Sequence, residues 1–133
     1  MKKIFVDTSF LVAFYNKGDE NHLRAREFIR NGNEHLYVIS DYIFDEFLTV
    51  LLVRRNKGLS VDAGIKLLAD RDIRLLRINA EVFAKAWEIY RLFKDKEWSF
   101  TDCTSYVLMK NLSMDAGLSF DAHFQQFGCK ILP

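Results

Sequence analysis

The feature that most constrains this chain is an alternation. Short runs of branched and aromatic residues recur at 3–6 (KIFV), 36–40 (LYVIS), 73–78 (IRLLRI), 116–120 (AGLSF) and 130–132 (KIL). Between them lie longer stretches with helical spacing, at 20–31, 41–57, 60–70, 80–95 and 100–112, and TSFLVAFY directly after the first run reads as one more helix. The runs are strands and the spacers are helices. Strands separated by helices build a parallel sheet, because each crossover lays a helix on one of its faces. The predicted fold is a three-layer α/β/α domain with a mostly parallel five-stranded sheet. Its expected strand order, 3-2-1-4-5, sets strand 1 beside strand 4 at the point where the order reverses.

Nothing in the sequence divides this arrangement. A chain of 133 residues, half of them apolar, supports one sizeable core. Turn punctuation sits at Asn31-Gly32-Asn33, at Lys57-Gly58 between two helices, and at Gly117 and Gly128. No low-complexity linker or repeat interrupts it, so residues 1–133 are read as a single domain. Lys plus Arg number 19 against 18 acids, so no overall field drives the protein onto nucleic acid and any such binding depends on local patches. Cys103 and Cys129 have no paired or metal-type spacing, which fits a reduced, cytoplasmic protein. The basic-then-apolar start MKKIFVDTSFLVAFY is broken by Asp7, and no uncharged run approaches the roughly 18 residues of a spanning helix. No membrane partner is expected.

Four acids carry the chemical interest. Asp7 follows strand 1 and opens a helix, Asp102 stands three residues after Ser99 in a capping-box pattern, and Asp121 precedes a short turn, so each of these three is accountable as a cap. Glu46 is not. It lies in the second turn of the helix that begins near Ser40, beyond the orphan amides, among Tyr42, Ile43, Thr49 and Val50, where an unpaired charge is costly to bury. Asp45 beside it is the competing choice. With the order 3-2-1-4-5, Asp7 and Asp121 stand together at the carboxyl ends of neighbouring strands, and the helices bearing Glu46 and Asp102 reach the same rim. Carboxylates crowded in this way raise one another's pKa unless a cation neutralises them. Oxygen ligands with Thr8, Ser9, Thr101 and Ser119 nearby suit a hard ion, Mg²⁺ or Mn²⁺. His22, His35 and His123 lie far apart in sequence and read as surface or packing residues, His123 being nearest to an acid.

These residues sit in segments that resemble the PIN-domain nucleases, and in size and motif order the chain is similar to toxins of the VapC type. The resemblance spans nearly the whole chain and rests on FVDTSFLVAFY, SDYIFDEFLTVLL, WSFTDCTSYVLMK and AGLSFDAHFQQFG. It implies that Asp7, Glu46, Asp102 and Asp121 are the catalytic, metal-holding acids, with Ser9 and Thr101 supporting them by hydrogen bonds. It further implies endonucleolytic hydrolysis of RNA, with Asp102 or Asp121 orienting or deprotonating the attacking water. A cognate antitoxin protein and a second copy of the chain are the implied partners. Apolar residues of the helices at 41–57 and 60–70, including Phe44, Phe47, Leu51, Leu52, Leu67 and Leu68, are candidates for those contacts. The glutamines of HFQQF stand where a substrate-binding base is expected.

Basic clusters at Arg24, Arg26 and Arg30, at Arg54, Arg55 and Lys57, and at Arg91, Lys94 and Lys96 read first as solvated faces or helix-end charges. Two rival readings remain. A receiver-type phosphoacceptor expects an acidic pair near strand 1 and an Asp after strand 3, and neither is present. A degenerate module that binds RNA or a partner without cleaving is the other, against which stands the presence of all four acids.

Overall fold

The computed structural model describes residues 1–32 and 34–133; Asn33, in the Asn31-Gly32-Asn33 boundary, lies outside the described residues. The elements run β1 Lys2–Val6, α1 Thr8–Tyr15, α2 His22–Asn31, β2 His35–Ser40, α3 Asp41–Arg54, α4 Lys57–Ala69, β3 Ile73–Leu76, α5 Ala80–Leu92, α6 Phe100–Asn111, β4 Ala116–Leu118, a 3₁₀ turn Ala122–Phe127, and β5 Ile131–Leu132. The sheet has the order β3-β2-β1-β4-β5 and every pairing is parallel. Central β1 explains why both faces need covering. Consecutive residues Ile4, Phe5 and Val6 are all buried, so neither side of the strand can face water. No helix is long and apolar enough to cross a membrane among the described residues.

Three strands are shorter than the apolar runs suggest: β5 starts one residue late, at Ile131, and at the ends of β3 and β4 backbone amides leave the ladder for side-chain acceptors. Asp41 Oδ1 accepts from Ile78 N at 3.0 Å, which ends β3 at Leu76 rather than 78. Ser9 Oγ accepts from Phe120 N and Ser119 Oγ from Asp121 N, each at 2.9 Å, so the fourth run stops pairing as a strand at Leu118. The boundary expected at Lys57-Gly58 also moves. These residues are the first two of α4, because the Asn56 side chain accepts from Leu59 N at 2.8 Å and starts the helix there. Arg54 closes α3, three residues short of the expected end.

Packing sorts the apolar residues of α3 and α4. Phe47, Leu51 and Leu67, expected as contact candidates, are core residues, and Phe44 is half-buried; Leu52 and Leu68 are exposed, together with Val53, Val61 and Ile65. A second exposed apolar set, Phe83, Trp87 and Tyr90, lies along α5. One glutamine of HFQQF has a structural task at the edge of the core. Gln126 Oε1 accepts from the indole Nε1 of buried Trp98 at 2.7 Å, satisfying a donor that the core would otherwise orphan.

The revised start of α4 predicts effects of opposite sign at neighbouring positions. Asn56→Ala removes the cap and lowers stability by about 1 kcal/mol. Gly58→Ala, in the first turn with ordinary contact to Asn56 Oδ1 at 3.4 Å, raises it by up to about 1 kcal/mol. Urea denaturation of the two variants reads both, and neutrality at both positions would return the helix start to residue 60.

Candidate active site

The carboxyl end of β1 delivers Asp7 into the crevice between β1 and β4. Its amide continues the pairing by donating to Leu118 O at 3.0 Å, and its side chain caps α1. Asp7 is 3% exposed, and one of its oxygens carries the whole load. Oδ2 accepts from Ser9 Oγ at 2.8 Å, Ser119 Oγ at 2.8 Å and Ser9 N at 3.4 Å. Each hydroxyl has one proton, and with both directed at Asp7 the 3.1 Å approach of the two hydroxyls is a contact rather than a further bond. Oδ1 has no protein donor among the described residues, while Asp7 lines a cavity of about 310 Å³ with Thr8, Ser9, Glu46 and Asp121.

The other acids reach the same region from different elements. Asp121 caps the 3₁₀ turn through His123 N at 2.9 Å. Asp102 completes the capping box of α6, accepting from Ser99 N at 3.0 Å while Ser99 Oγ accepts from Asp102 N at 3.0 Å. The cap readings and the cluster are therefore compatible, since each cap fixes a carboxylate at the rim. Glu46 projects from α3 into the cavity, half-buried, whereas Asp45 is exposed and does not line it. Thr101 is half-buried in the first turn of α6, where its carbonyl accepts from Thr104 Oγ1 at 2.6 Å.

The acids do not form one equal group. The tightest set is Asp102, Asp121 and His123, with one ligand-type atom from each lying within 4.8 Å of the others; Asp7 and Glu46 stand outside that radius. His123 Nδ1 is 3.4 Å from Asp102 Oδ2 and 3.7 Å from Asp121 Oδ1. Electrostatics nevertheless joins all four. Burial pushes the Asp7 carboxyl up to about 6, against the hydrogen bonds from Ser9 and Ser119, and the charge of Asp102 pushes it the same way. Burial also raises Glu46, which then feels Asp102 and Asp121, and it raises Asp102, which feels Asp121. Thr8 Oγ1 is buried close enough to Glu46 to oppose that rise, yet it closes no hydrogen bond among the described residues. A donor set of carboxylate oxygens, an orphaned hydroxyl and one imidazole fits a hard divalent cation.

Sequence reasoning undervalued His123 and passed over the far wall. Asp19, Glu20 and Asn21, in the turn before α2, line the cavity, as do Val50 and Arg54 of α3. The wall residues on α3 carried a legible signal, because 46, 50 and 54 recur every four residues and so share a helical stripe. Arg24 lies 5.1 Å over the ring of Phe120, another lining residue.

Comparison with known proteins bears on the sequence and the fold. The sequence pattern of the PIN domain matches residues 4–128. The 23S rRNA-specific endonuclease VapC20 of Mycobacterium tuberculosis is 30% identical over 125 residues, 94% of each chain. Its crystal structure, titled as that of a sarcin-ricin loop cleaving toxin, superposes with a TM-score of 0.87 at 28% identity, covering 95% of both chains. FitAcB from Neisseria gonorrhoeae superposes at 0.72 with 15% identity, covering 98% of this chain and 96% of that one. VapBC2 from Rickettsia felis, solved with a fragment of promoter DNA, superposes at 0.68 with 13% identity over 98% and 97%. The last two share the fold.

The elevated Asp7 carboxyl makes a prediction for the protein in EDTA. Its folded-state value of about 6 exceeds the ordinary 3.8, so the folded state holds this proton more tightly. Stability from this group is present below pH 3.8 and is lost as pH rises through 6, by about 3 kcal/mol. Asp7→Asn therefore melts above wild type at pH 7 without metal, with the gap closing by pH 4. A gap that does not change with pH would contradict the assignment.

Proposed function

The chain belongs to the PIN-domain family, and from that premise we propose that it is a divalent-metal-dependent endoribonuclease acting as the toxin of a toxin–antitoxin pair. The observation that carries the reading is the gathering of Asp7, Glu46, Asp102 and Asp121 around the ends of β1 and β4, with the charge of one acid raising the next. RNA as substrate comes from kinship with VapC20, which is named for 23S rRNA, and the sarcin–ricin loop is accordingly the first RNA to try.

In this reading the four acids hold Mg²⁺ or Mn²⁺, with His123 beside Asp102 and Asp121. A bound divalent ion supplies neutralisation of phosphoryl charge and a lowered pKa for water. The chain's own residues do the rest. Ser9 and Ser119 fix the Asp7 side chain and leave Oδ1 available, the Ser99 amide pins Asp102, and Asp102 or Asp121 orients the attacking water and accepts its proton. The exposed apolar residues on α3 and α4 and those on α5 are the candidate surfaces for the two expected partners, an antitoxin and a second copy of the chain. Access to ribosomal RNA makes the cytoplasm the expected site of action.

Purified protein is expected to cut a synthetic RNA carrying the sarcin–ricin loop in Mg²⁺ or Mn²⁺, and EDTA is expected to stop it. Asp7→Asn reduces the rate on the order of 100-fold or more. Glu46→Gln loses more than Asp45→Asn; the reverse ranking makes Asp45 the ligand. The toxin role is read separately, as growth arrest on expression that a co-expressed antitoxin relieves. Cleavage by Asp7→Asn at the wild-type rate would sink the site.

A further inference from the structure

The cavity that holds the acids is lined by Asp7, Asp19, Glu20, Glu46 and Asp121, and one cation shares it, Arg54. We propose that Arg54 binds an RNA phosphate flanking the one that is cleaved, an inference that rests on the ribonuclease reading. A nucleic-acid backbone approaching five carboxylates is repelled along most of its path, and a metal at the acids neutralises only the phosphate in contact with it. A cation on the wall offsets that repulsion for the next phosphate. Arg54 is in the right place, because it shares with Glu46 and Val50 the stripe of α3 that faces the cavity, and eight residues of helix set its backbone about 12 Å from that of Glu46.

Its neighbours in sequence are committed elsewhere. Arg55 donates through Nη1 to Asn16 Oδ1 at 2.6 Å, and that oxygen also accepts from Gly18 N at 3.0 Å, so Arg55 ties the end of α3 to the turn after α1. Lys57 opens α4. Arg54 forms no ion pair and no side-chain hydrogen bond among the described residues, despite the acids around it. Arg54 is also the basic residue in the last turn of α3, a favourable place for a cation near the helix C-terminus, but that interaction occupies none of its N–H donors and leaves the guanidinium free to serve the cavity. An exposed guanidinium with its donor fork uncommitted is matched to two phosphate oxygens.

The test separates binding from chemistry. RNA carrying the sarcin–ricin loop is titrated by fluorescence anisotropy, across a range of KCl concentrations, into Asp7→Asn protein with and without Arg54→Gln. Cleavage kinetics are measured on wild type, Arg54→Gln and Arg54→Lys in Mn²⁺. Arg54→Gln is expected to weaken binding about tenfold and to reduce the slope of log affinity against log salt by about one. KM rises to match with kcat within about twofold, and Arg54→Lys, which keeps the charge without the fork, falls between. Unchanged affinity and salt slope, with or without a lowered melting temperature, overturn the assignment even if wild type cleaves. Conversely, salt-sensitive binding that depends on Arg54 in a protein that cleaves no RNA upholds the phosphate contact and sinks the ribonuclease reading alone.

Discussion

The carboxylate of Asp7 holds the rim of this sheet together while being the group least at ease there. Ser9 and Ser119 direct their hydroxyl protons onto its Oδ2, and the same two oxygens accept from the amides of Phe120 and Asp121. One small network therefore sets the rotamer of Asp7 and the backbone path leading to Asp121. It also joins β1 to β4 beyond the last ladder bond, since Asp7 N donates to Leu118 O. Position and orientation of two acids are coupled through shared hydroxyls, and a change at Ser119 reaches Asp121 as directly as it reaches Asp7.

That arrangement runs against the usual economy of a core. Hydrogen bonds to a carboxylate lower its pKa, yet burial outweighs two serines at Asp7 and raises Glu46 and Asp102 as well. Counter-charge is sparse there among the described residues. The His123 imidazole lies beside Asp102 and Asp121, and Arg54 stands on the wall with no ion pair among the described residues. A fold that gathers acids while leaving them short of counter-charge gives up stability at a place where an added cation restores it, which is the thermodynamic form of a metal site.

Strand positions, strand order and the placement of the acids at one rim were legible because each rests on a local or topological rule: branched runs between helical segments, the reversal point of a doubly wound sheet, and cap positions at element ends. Glu46 was legible for the opposite reason, as the acid that no cap could explain. What escaped was long-range or ambiguous in sign. Asn56 competes with Lys57-Gly58 as a boundary signal and wins through one side-chain bond. His123 reads as an ordinary turn residue until the 3₁₀ turn folds it back against Asp102, and the glutamines of HFQQF read as a missing base until Gln126 meets Trp98. Arg54 reads as a helix-end charge, because the dipole argument is satisfied before any cavity is known.

α3 shows how these demands are divided on one element. Ile43, Phe47 and Leu51 enter the core, Glu46, Val50 and Arg54 line the cavity, and Leu52 and Val53 face outward. Fourteen residues thus serve the core, the chemistry and an exposed apolar face, and the three sets overlap within each turn. The exposed Leu52 and Val53 thus stand directly beside the cavity stripe of Glu46, Val50 and Arg54 on one helix. The hydrogen bond from Arg55 to Asn16 ties the turn bearing Asp19 and Glu20, on the far wall of the cavity, to the same helix.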